Sequence, residues 1–313
     1  MSTFGLDTSN YTTSAARYDG SRVTDNRRRL LPVPEGARGL RQSDAVFHHT
    51  RQLPDIASPL LPDPELSAIG VSVSPTGAEG SYMPCFLTGK GMAAVLGAAL
   101  NVPVYEFSHQ QGHIAAALYS GGRLELLEEK FLAFHVSGGT TEALLVSPGG
   151  SRGPKAVAVA GSLDLKAGQA VDRVGLALGL KFPCGPELEK LALACPGEMK
   201  IRPAMRGADC SLSGIENRCL DMIKKGRPKE EVARYCLEYI TAALEGMCSA
   251  LLSEYGELPV VFSGGVCSDS ILRDRLTNRF GAVFSEPEFS ADNAAGIAIL
   301  AYISHRCFAG RSA

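Results

Sequence analysis

The nine cysteines include no Cys-x-x-Cys pair and are odd in number, so neither a disulfide framework nor a zinc ribbon is indicated, and reduced thiols fit best. No apolar run approaches the ~18 residues of a membrane span, and no signal peptide precedes the first expected strand, which points to the cytoplasm and to no membrane partner. An excess of one charge is also lacking. A net charge of −2 and a pI near 6.3 argue against a chain that clamps nucleic acid over most of its surface. A Ser-His or Cys-His nucleophile signature is missing too.

What is present is a large apolar inventory. At 313 residues and 45% hydrophobic content the chain exceeds the size at which single cores stop growing, so two lobes are expected. The organising stretch is Glu106-Phe-Ser-His-Gln-Gln-Gly-His113, between a short apolar strand and the run Ile114 to Leu118. It reads as a strand entering a helix, with Ser108 as N-cap and Gln111 completing a capping box. His109 and His113 then fall one turn apart. Downstream, Glu288-Phe-Ser-Ala-Asp-Asn-Ala-Ala-Gly repeats the strand-to-helix pattern, with Asp292 in the place of Gln110. If the copies face each other across a pseudo-twofold axis, two imidazoles and one carboxylate converge, a ligand set suited to Fe(II) or catalytic zinc.

Taken in order, Phe4 to Ala16 reads as a hairpin about a polar Asp7-Thr8-Ser9 turn, and Leu132 to Val146 as a second hairpin. Hydroxyls and amides at both turns could form a split phosphate clamp. Ser21 to Arg51 shows no clear periodicity but holds seven arginines (22, 27, 28, 29, 38, 41 and 51) against Asp25, Glu35 and Asp44, a solvated face or an RNA-facing edge. Pro54 to Pro64 reads as a linker. Ser67 to Ser74 is a buried strand. A helix from about Leu87 to Leu100 follows, its small residues (Gly91, Ala93, Ala94, Gly97, Ala98, Ala99) suiting close packing on a sheet. Val171, Val174 and Leu178 mark another helix, with Asp172 available for an ion pair or a ribose contact. Phe182 to Pro186 is a sharp turn that places Gly185 for close approach to a ligand. Helices dominate to about Tyr255, and Pro259 to Arg273 is a strand, a Gly264-Gly265 turn able to take an anion or a base edge, and a helix start.

Together Gly5-Leu-Asp-Thr-Ser9, His109-x-x-Gly-His113, Val136-Ser-Gly-Gly-Thr-Thr-Glu142, Gly161-Ser-Leu-Asp164 with Asp172, Pro183-Cys-Gly-Pro186, Ser211-Leu-Ser-Gly214, Gly264-Gly-Val266 and Ala291-Asp-Asn-Ala-Ala295 make a recognisable order. In that order the chain resembles the tRNA threonylcarbamoyladenosine transferase family (TsaD type, long labelled glycoproteases) over almost its whole length. The resemblance implies an α/β, actin-like and sugar-kinase-like (ASKHA) duplicated two-lobe fold, with an adenine nucleotide held between the lobes. The expected division is a lobe over residues 1–130 carrying the His-x-x-Gly-His motif, and a lobe over 131–313 with a helical insertion at about 161–255 and the third metal ligand.

It further implies that His109, His113 and Asp292 hold one Fe(II) or Zn(II) per chain. His135, Val136, Ser137, Gly138 and Gly139 would line the phosphate and acyl group, and Asp172, Gly185, Gly265 and Asp269 the ribose and adenine side. Asp7, Thr8 and Ser9 are candidates for the phosphate side. The implied reaction moves a threonylcarbamoyl group from threonylcarbamoyl-AMP to the exocyclic amine of the adenine next to a tRNA anticodon. The implied partners are tRNA, a paralogous subunit of the same fold and a small P-loop ATPase. Compared with the usual family pattern, Asp7 and Gln111 stand for Glu, Thr140 for His, Leu165 for a second Asp and Asp269 for Asn. The alternative is a paralogue without this catalysis, acting as a dimerisation partner, or one re-purposed for carbamoyl transfer or ATP hydrolysis.

Overall fold

A computed structural model of the chain describes residues 1–33, 40–61, 63–197 and 199–309. Glu35, Arg38 and Pro62, which figured in the arginine-rich and linker readings, lie outside the described residues.

Two compact units divide the chain. The first comprises residues 1–129, 147–156 and 288–313, the second 130–146 and 157–287. This corrects the expected continuous second lobe, because the segment carrying Asp292 packs with the first 129 residues.

In the first unit β1 (Ser2–Ser9), β2 (Thr12–Tyr18), β3 (Val23–Leu30), β4 (Leu66–Ser74) and β5 (Val104–Ser108) form a sheet in the order β3-β2-β1-β4-β5. The first three strands run antiparallel, while β4 and β5 run parallel to β1. Every residue of β1 is buried, as a central strand covered on both faces requires. Phe4 and Leu6 pack on Leu53 and Ile56 of α1 (Gln42–Ala57) and Ala93 of α2 (Phe86–Leu100). Strand β5 feeds α3 (His109–Ser120) directly.

The second unit repeats this plan. Strands β6 (Phe131–Val136), β7 (Thr141–Ser147), β8 (Lys155–Gly161), β11 (Val260–Ser263) and β12 (Val283–Phe284) lie in the order β12-β11-β6-β7-β8, the same topology with each strand replaced by its counterpart. Between β8 and β11 come α4 (Ala167–Ala177), α5 (Gly185–Leu193), the hairpin β9 (Ala204–Arg206) and β10 (Asp209–Ser211), α6 (Ser213–Lys224) and α7 (Lys229–Tyr255). Val171, Ile215 and Leu237 from these helices share one core with Phe134 and Phe262 of the sheet. Helix α8 (Ser270–Phe280) follows β11. The short α9 (Pro287–Ser290) and α10 (Ala295–Ala309) lead back to the first unit.

Five local readings are corrected. The turn of the first hairpin falls at Asn10 and Tyr11, with Asp7, Thr8 and Ser9 inside β1. Part of the aperiodic arginine stretch is the edge strand β3, whose largely uncovered side chains leave no apolar alternation to read. The expected linker begins inside α1, with Pro54 in that helix's last turn. Glu288 to Ser290 is a helical turn, so the second copy of the strand-to-helix pattern keeps its helix and loses its strand. Of the small residues in α2, Ala93 and Gly97 are buried, whereas Gly91, Ala94, Ala98 and Ala99 are exposed.

Helix α10 reaches the sheet because glycine lets it. A Cβ on Gly5 would stand 2.6 Å from the Ala294 carbonyl oxygen, and one on Gly70 2.6 Å from that of Ile297. Helices α3 and α10 cross still more closely, since a Cβ on Gly296 would sit 1.8 Å from the Gly112 carbonyl oxygen. Gly296→Ala therefore has no room, and its unfolding free energy is expected to fall by about 1–3 kcal/mol or more. Gly91, in the exposed middle of α2 with open space around it, is the control: Gly91→Ala should gain roughly 0.5–1 kcal/mol. Paired denaturant titrations check both signs.

His49 of α1 is fully buried, with Nδ1 2.8 Å from the Thr13 hydroxyl oxygen. Burial lowers its pKa to about 4. The unfolded chain then takes up a proton on this ring near the ordinary value while the folded chain does not. Stability from His49 is complete above about pH 6.5 and is lost as pH falls toward 4, by on the order of 3 kcal/mol. Stability measured from pH 7 to 4 should fall less steeply in His49→Gln than in the parent; equal slopes would refute this.

Candidate metal centre

Helix α3 begins as its sequence requires. Ser108 is extended, its side chain accepts from the Gln111 amide at 3.2 Å, and Gln111 Oε1 accepts the Ser108 N–H at 2.7 Å. This capping box fixes the first turn and with it the placement of His109 and His113. Gln111 also donates to the carbonyls of Arg152 and Pro154, which ties residues 147–156 to the same turn. Because α10 crosses α3 at Gly112 and Gly296, the loop ahead of α10 delivers Asp292 to the two rings.

The convergence is tight. His113 Nε2 lies 2.9 Å from His109 Nε2 and 3.2 Å from Asp292 Oδ1, and His109 Nε2 lies 3.6 Å from that same oxygen. Donor atoms about 2.0–2.2 Å from a tetrahedral ion stand roughly 3.4 Å apart, so these three need move little to share one. Among the described residues they form the one group of three His, Cys, Asp or Glu side chains placed to hold an ion.

Two carboxylates bracket the rings. His109 Nδ1 donates to Asp7 Oδ2 at 2.8 Å, and Asp7 Oδ1 accepts the Ser9 amide at 2.9 Å. Burial alone would lower the His109 pKa, but the Asp7 charge and the hydrogen bond to Asp292 outweigh it and raise the ring to about 10. For Asp292, burial works upward, and the hydrogen bonds and charges of His109 and His113 hold the carboxyl far below its usual range. Asp7 is likewise lowered, the His109 charge overcoming burial. The flanking carboxylates thus favour positive charge on His109. Asp7 fixes His109 with its proton on Nδ1 and Nε2 turned inward, as an outer carboxylate does for a metal-binding histidine.

This differs from the phosphate role expected for Asp7, Thr8 and Ser9. All three are buried, and the Thr8 hydroxyl donates to the Cys85 carbonyl while accepting from the Gly89 amide. Sequence reasoning also missed Thr12, whose hydroxyl donates to Asp292 Oδ2 at 3.1 Å. Nothing in a Thr-Thr-Ser run singles it out; only the register of β2 against β1 does.

The second unit holds a separate cavity of about 330 Å³, lined by Gly138, Asp172, Gly185, Gly265 and Asp269 of the expected nucleotide residues. It adds Glu189, which sequence reasoning missed and which accepts from the amide and hydroxyl of Ser270. Asp172 makes no ion pair with its neighbour: it accepts the Cys184 amide at 2.9 Å, and Arg173 pairs with Glu216. Asp269 caps α8 by accepting the Leu272 amide, and burial raises its pKa to about 6. Side chains at Gly185 and Gly265 would meet open space, so both backbones face the cavity unobstructed.

His135, Val136, Ser137 and Gly139 do not line it. Val136 is buried in the core, and His135 Nδ1 lies 3.1 Å from Ser263 Oγ. The arginines of β3 do not form one patch. Arg29 reaches Asp55 of α1, while Arg28 reaches the Glu288 carbonyl, because neighbours on a strand alternate in direction.

A family model for tRNA N6-adenosine threonylcarbamoyltransferase (TsaD) matches residues 39–299. The chain belongs to this family. A member from Thermus thermophilus is 30% identical, with 98% of this chain and 94% of that one aligned. One from Pyrobaculum neutrophilum is 29% identical over 88% and 80%. A Thermoplasma acidophilum relative, named a probable bifunctional tRNA threonylcarbamoyladenosine biosynthesis protein, is 25% identical over 98% of this chain and 56% of its own length.

Solved structures show the fold. Full-length HypF superposes with a TM-score of 0.57 at 14% identity, over 97% of this chain and 55% of that one. The (R)-2-hydroxyglutaryl-CoA dehydratase component A of Acidaminococcus fermentans gives 0.55 at 14%, over 98% and 99%. The family's actin-like, sugar-kinase-like fold is therefore present, and no described helix is long and apolar enough to cross a membrane.

Metal content tests the centre. The parent chain should carry about one equivalent of iron or zinc, and His109→Ala or Asp292→Ala should abolish it, since each leaves two ligands on an open site. Asp7→Asn should keep the ligands yet bind about 10- to 100-fold more weakly. Full occupancy in all three variants would sink the assignment.

Proposed function

We propose that this chain transfers the threonylcarbamoyl group of threonylcarbamoyl-AMP to the exocyclic amine of the adenine next to a tRNA anticodon. Family membership supports the reaction class, and the observation that carries the reading is the meeting of His109, His113 and Asp292. These three would hold Fe(II) or Zn(II), one per chain. Bound there, the ion would supply Lewis-acid polarisation of a carbonyl or phosphate oxygen.

The balance of the reaction is simple. The amine nitrogen bonds to the carbamoyl carbon, the carbon–oxygen bond to phosphate breaks, AMP leaves with the electron pair, and the amine gives up a proton. No side-chain nucleophile is needed. The chain's own work is positional: His109 and His113 are set by the α3 capping box and by Asp7, and the cavity of the second unit would take the nucleoside end of an adenine nucleotide (threonylcarbamoyl-AMP, ATP or AMP). Its carboxylates, Asp172 and Asp269, suit hydroxyl and amine donors of ribose and base better than they suit phosphate. We further propose a cytoplasmic protein that works on tRNA with a paralogous subunit of the same fold and a small P-loop ATPase.

Two measurements test this. Supplied with threonylcarbamoyl-AMP, tRNA and those partners, the chain should form threonylcarbamoyladenosine, detected by mass spectrometry of digested tRNA, and His113→Ala should not. Calorimetry should show AMP binding that Asp172→Ala weakens about tenfold or more. Metal and AMP binding without any modified nucleoside would mark a re-purposed paralogue, and no AMP binding would refute the nucleotide cavity.

A further inference from the structure

Outer contacts to two of the three ligands, His109 and Asp292, come from one place, the closed end of the β1–β2 hairpin. Ser9 pairs with Thr12 across the ladder, so Asp7 and Thr12 approach the centre from adjoining strands. Asp7 reaches His109, and Thr12, itself only 3% exposed, reaches Asp292. The two oxygens of Asp292 are thereby divided. Oδ1 faces Nε2 of both histidines, while Oδ2 accepts the Thr12 hydroxyl at 3.1 Å.

We infer that Thr12 is a positioning residue that keeps Asp292 a one-oxygen ligand. This rests on the metal reading above. A carboxylate left to itself binds an ion through one oxygen or two, and the choice consumes or spares a coordination position. A hydroxyl donating to the ionised second oxygen makes a charge-assisted bond that must be broken before that oxygen can turn to the ion. Two imidazoles and one oxygen leave a four-coordinate ion one open position, and a five-coordinate ion two. A second carboxylate oxygen would fill a position that substrate needs.

The hairpin end is built to hold this geometry. On the opposite face of β2 the Thr13 hydroxyl lies 2.9 Å from Gln52 Oε1 and 2.8 Å from His49 Nδ1. With that hydroxyl donated to Gln52, the His49 Nδ1–H donates to Thr13, which agrees with a neutral ring. Gln42 of α1 donates to Asn10 Oδ1 at 2.6 Å, and the Leu31 amide donates to the Tyr11 carbonyl at 2.8 Å. Thr12 is therefore gripped from both sides of the strand, and its hydroxyl is aimed by the backbone.

Cobalt(II) substitution reads the coordination without any catalytic assay. Parent, Thr12→Ser and Thr12→Val proteins are loaded with Co(II), the visible absorption is recorded, and affinity is measured by competition with a chelator. Thr12→Val should bind about 10- to 100-fold more weakly, the usual effect of losing an outer-shell partner. Its visible band should also weaken and shift as the freed oxygen raises the coordination number. Thr12→Ser should restore both. Thr12→Ala carries the same comparison if valine is not accommodated, with thermal melting as the check on folding. An unchanged spectrum and affinity in a folded Val or Ala variant overturns the inference. A parent chain that takes up no Co(II) overturns the metal centre itself, and Thr12's role with it.

Discussion

Everything at the candidate centre depends on how closely α3 and α10 approach. The crossing point is glycine on both helices, Gly112 and Gly296, and an added methyl on Gly296 would lie 1.8 Å from a carbonyl oxygen, far inside van der Waals contact. Close-packed interiors do not yield to such intrusions by smooth adjustment. With that approach the first turn of α3 and the loop before α10 share one pocket. Without it, His113 on α3 and Asp292 in the loop before α10 share no pocket.

The charges in that pocket carry an energetic cost that the fold offsets locally. Asp7 is buried and ionised, which is unfavourable unless the carboxylate is paired and hydrogen-bonded. Its two oxygens meet the Ser9 amide and the His109 ring. Asp292 is answered by two rings and a hydroxyl. The raised pKa of His109 shows that the carboxylates favour positive charge there.

How much of this was legible depended on the range of the signal. The capping box at Ser108 and Gln111 is local, and it gave α3 and the spacing of His109 and His113 directly. The hairpins and the repeated strand-helix order came from apolar periodicity, and the paired sheet orders agree with them. Edge strand β3 escaped because an exposed strand has no buried face to impose alternation. Helix α1 escaped because a proline in its last turn looks like a linker. The roles of Asp7 and Thr12 escaped for a deeper reason: they are set by cross-strand register and by partners 102 and 280 positions away, and short-range pattern carries neither.

The order of these segments along the chain has a consequence for assembly. The sheet of the first unit is complete by residue 108, but the face of β1 and β4 that presents Gly5 and Gly70 waits for α10, which follows the whole of the second unit. Closing so long a loop costs entropy that only the finished contact repays. While the ribosome extends the second unit, the first is a half-covered layer whose bare glycine strip has no partner. The centre therefore cannot form until Asp292 and α10, which follow the whole of the second unit in the chain, have been made.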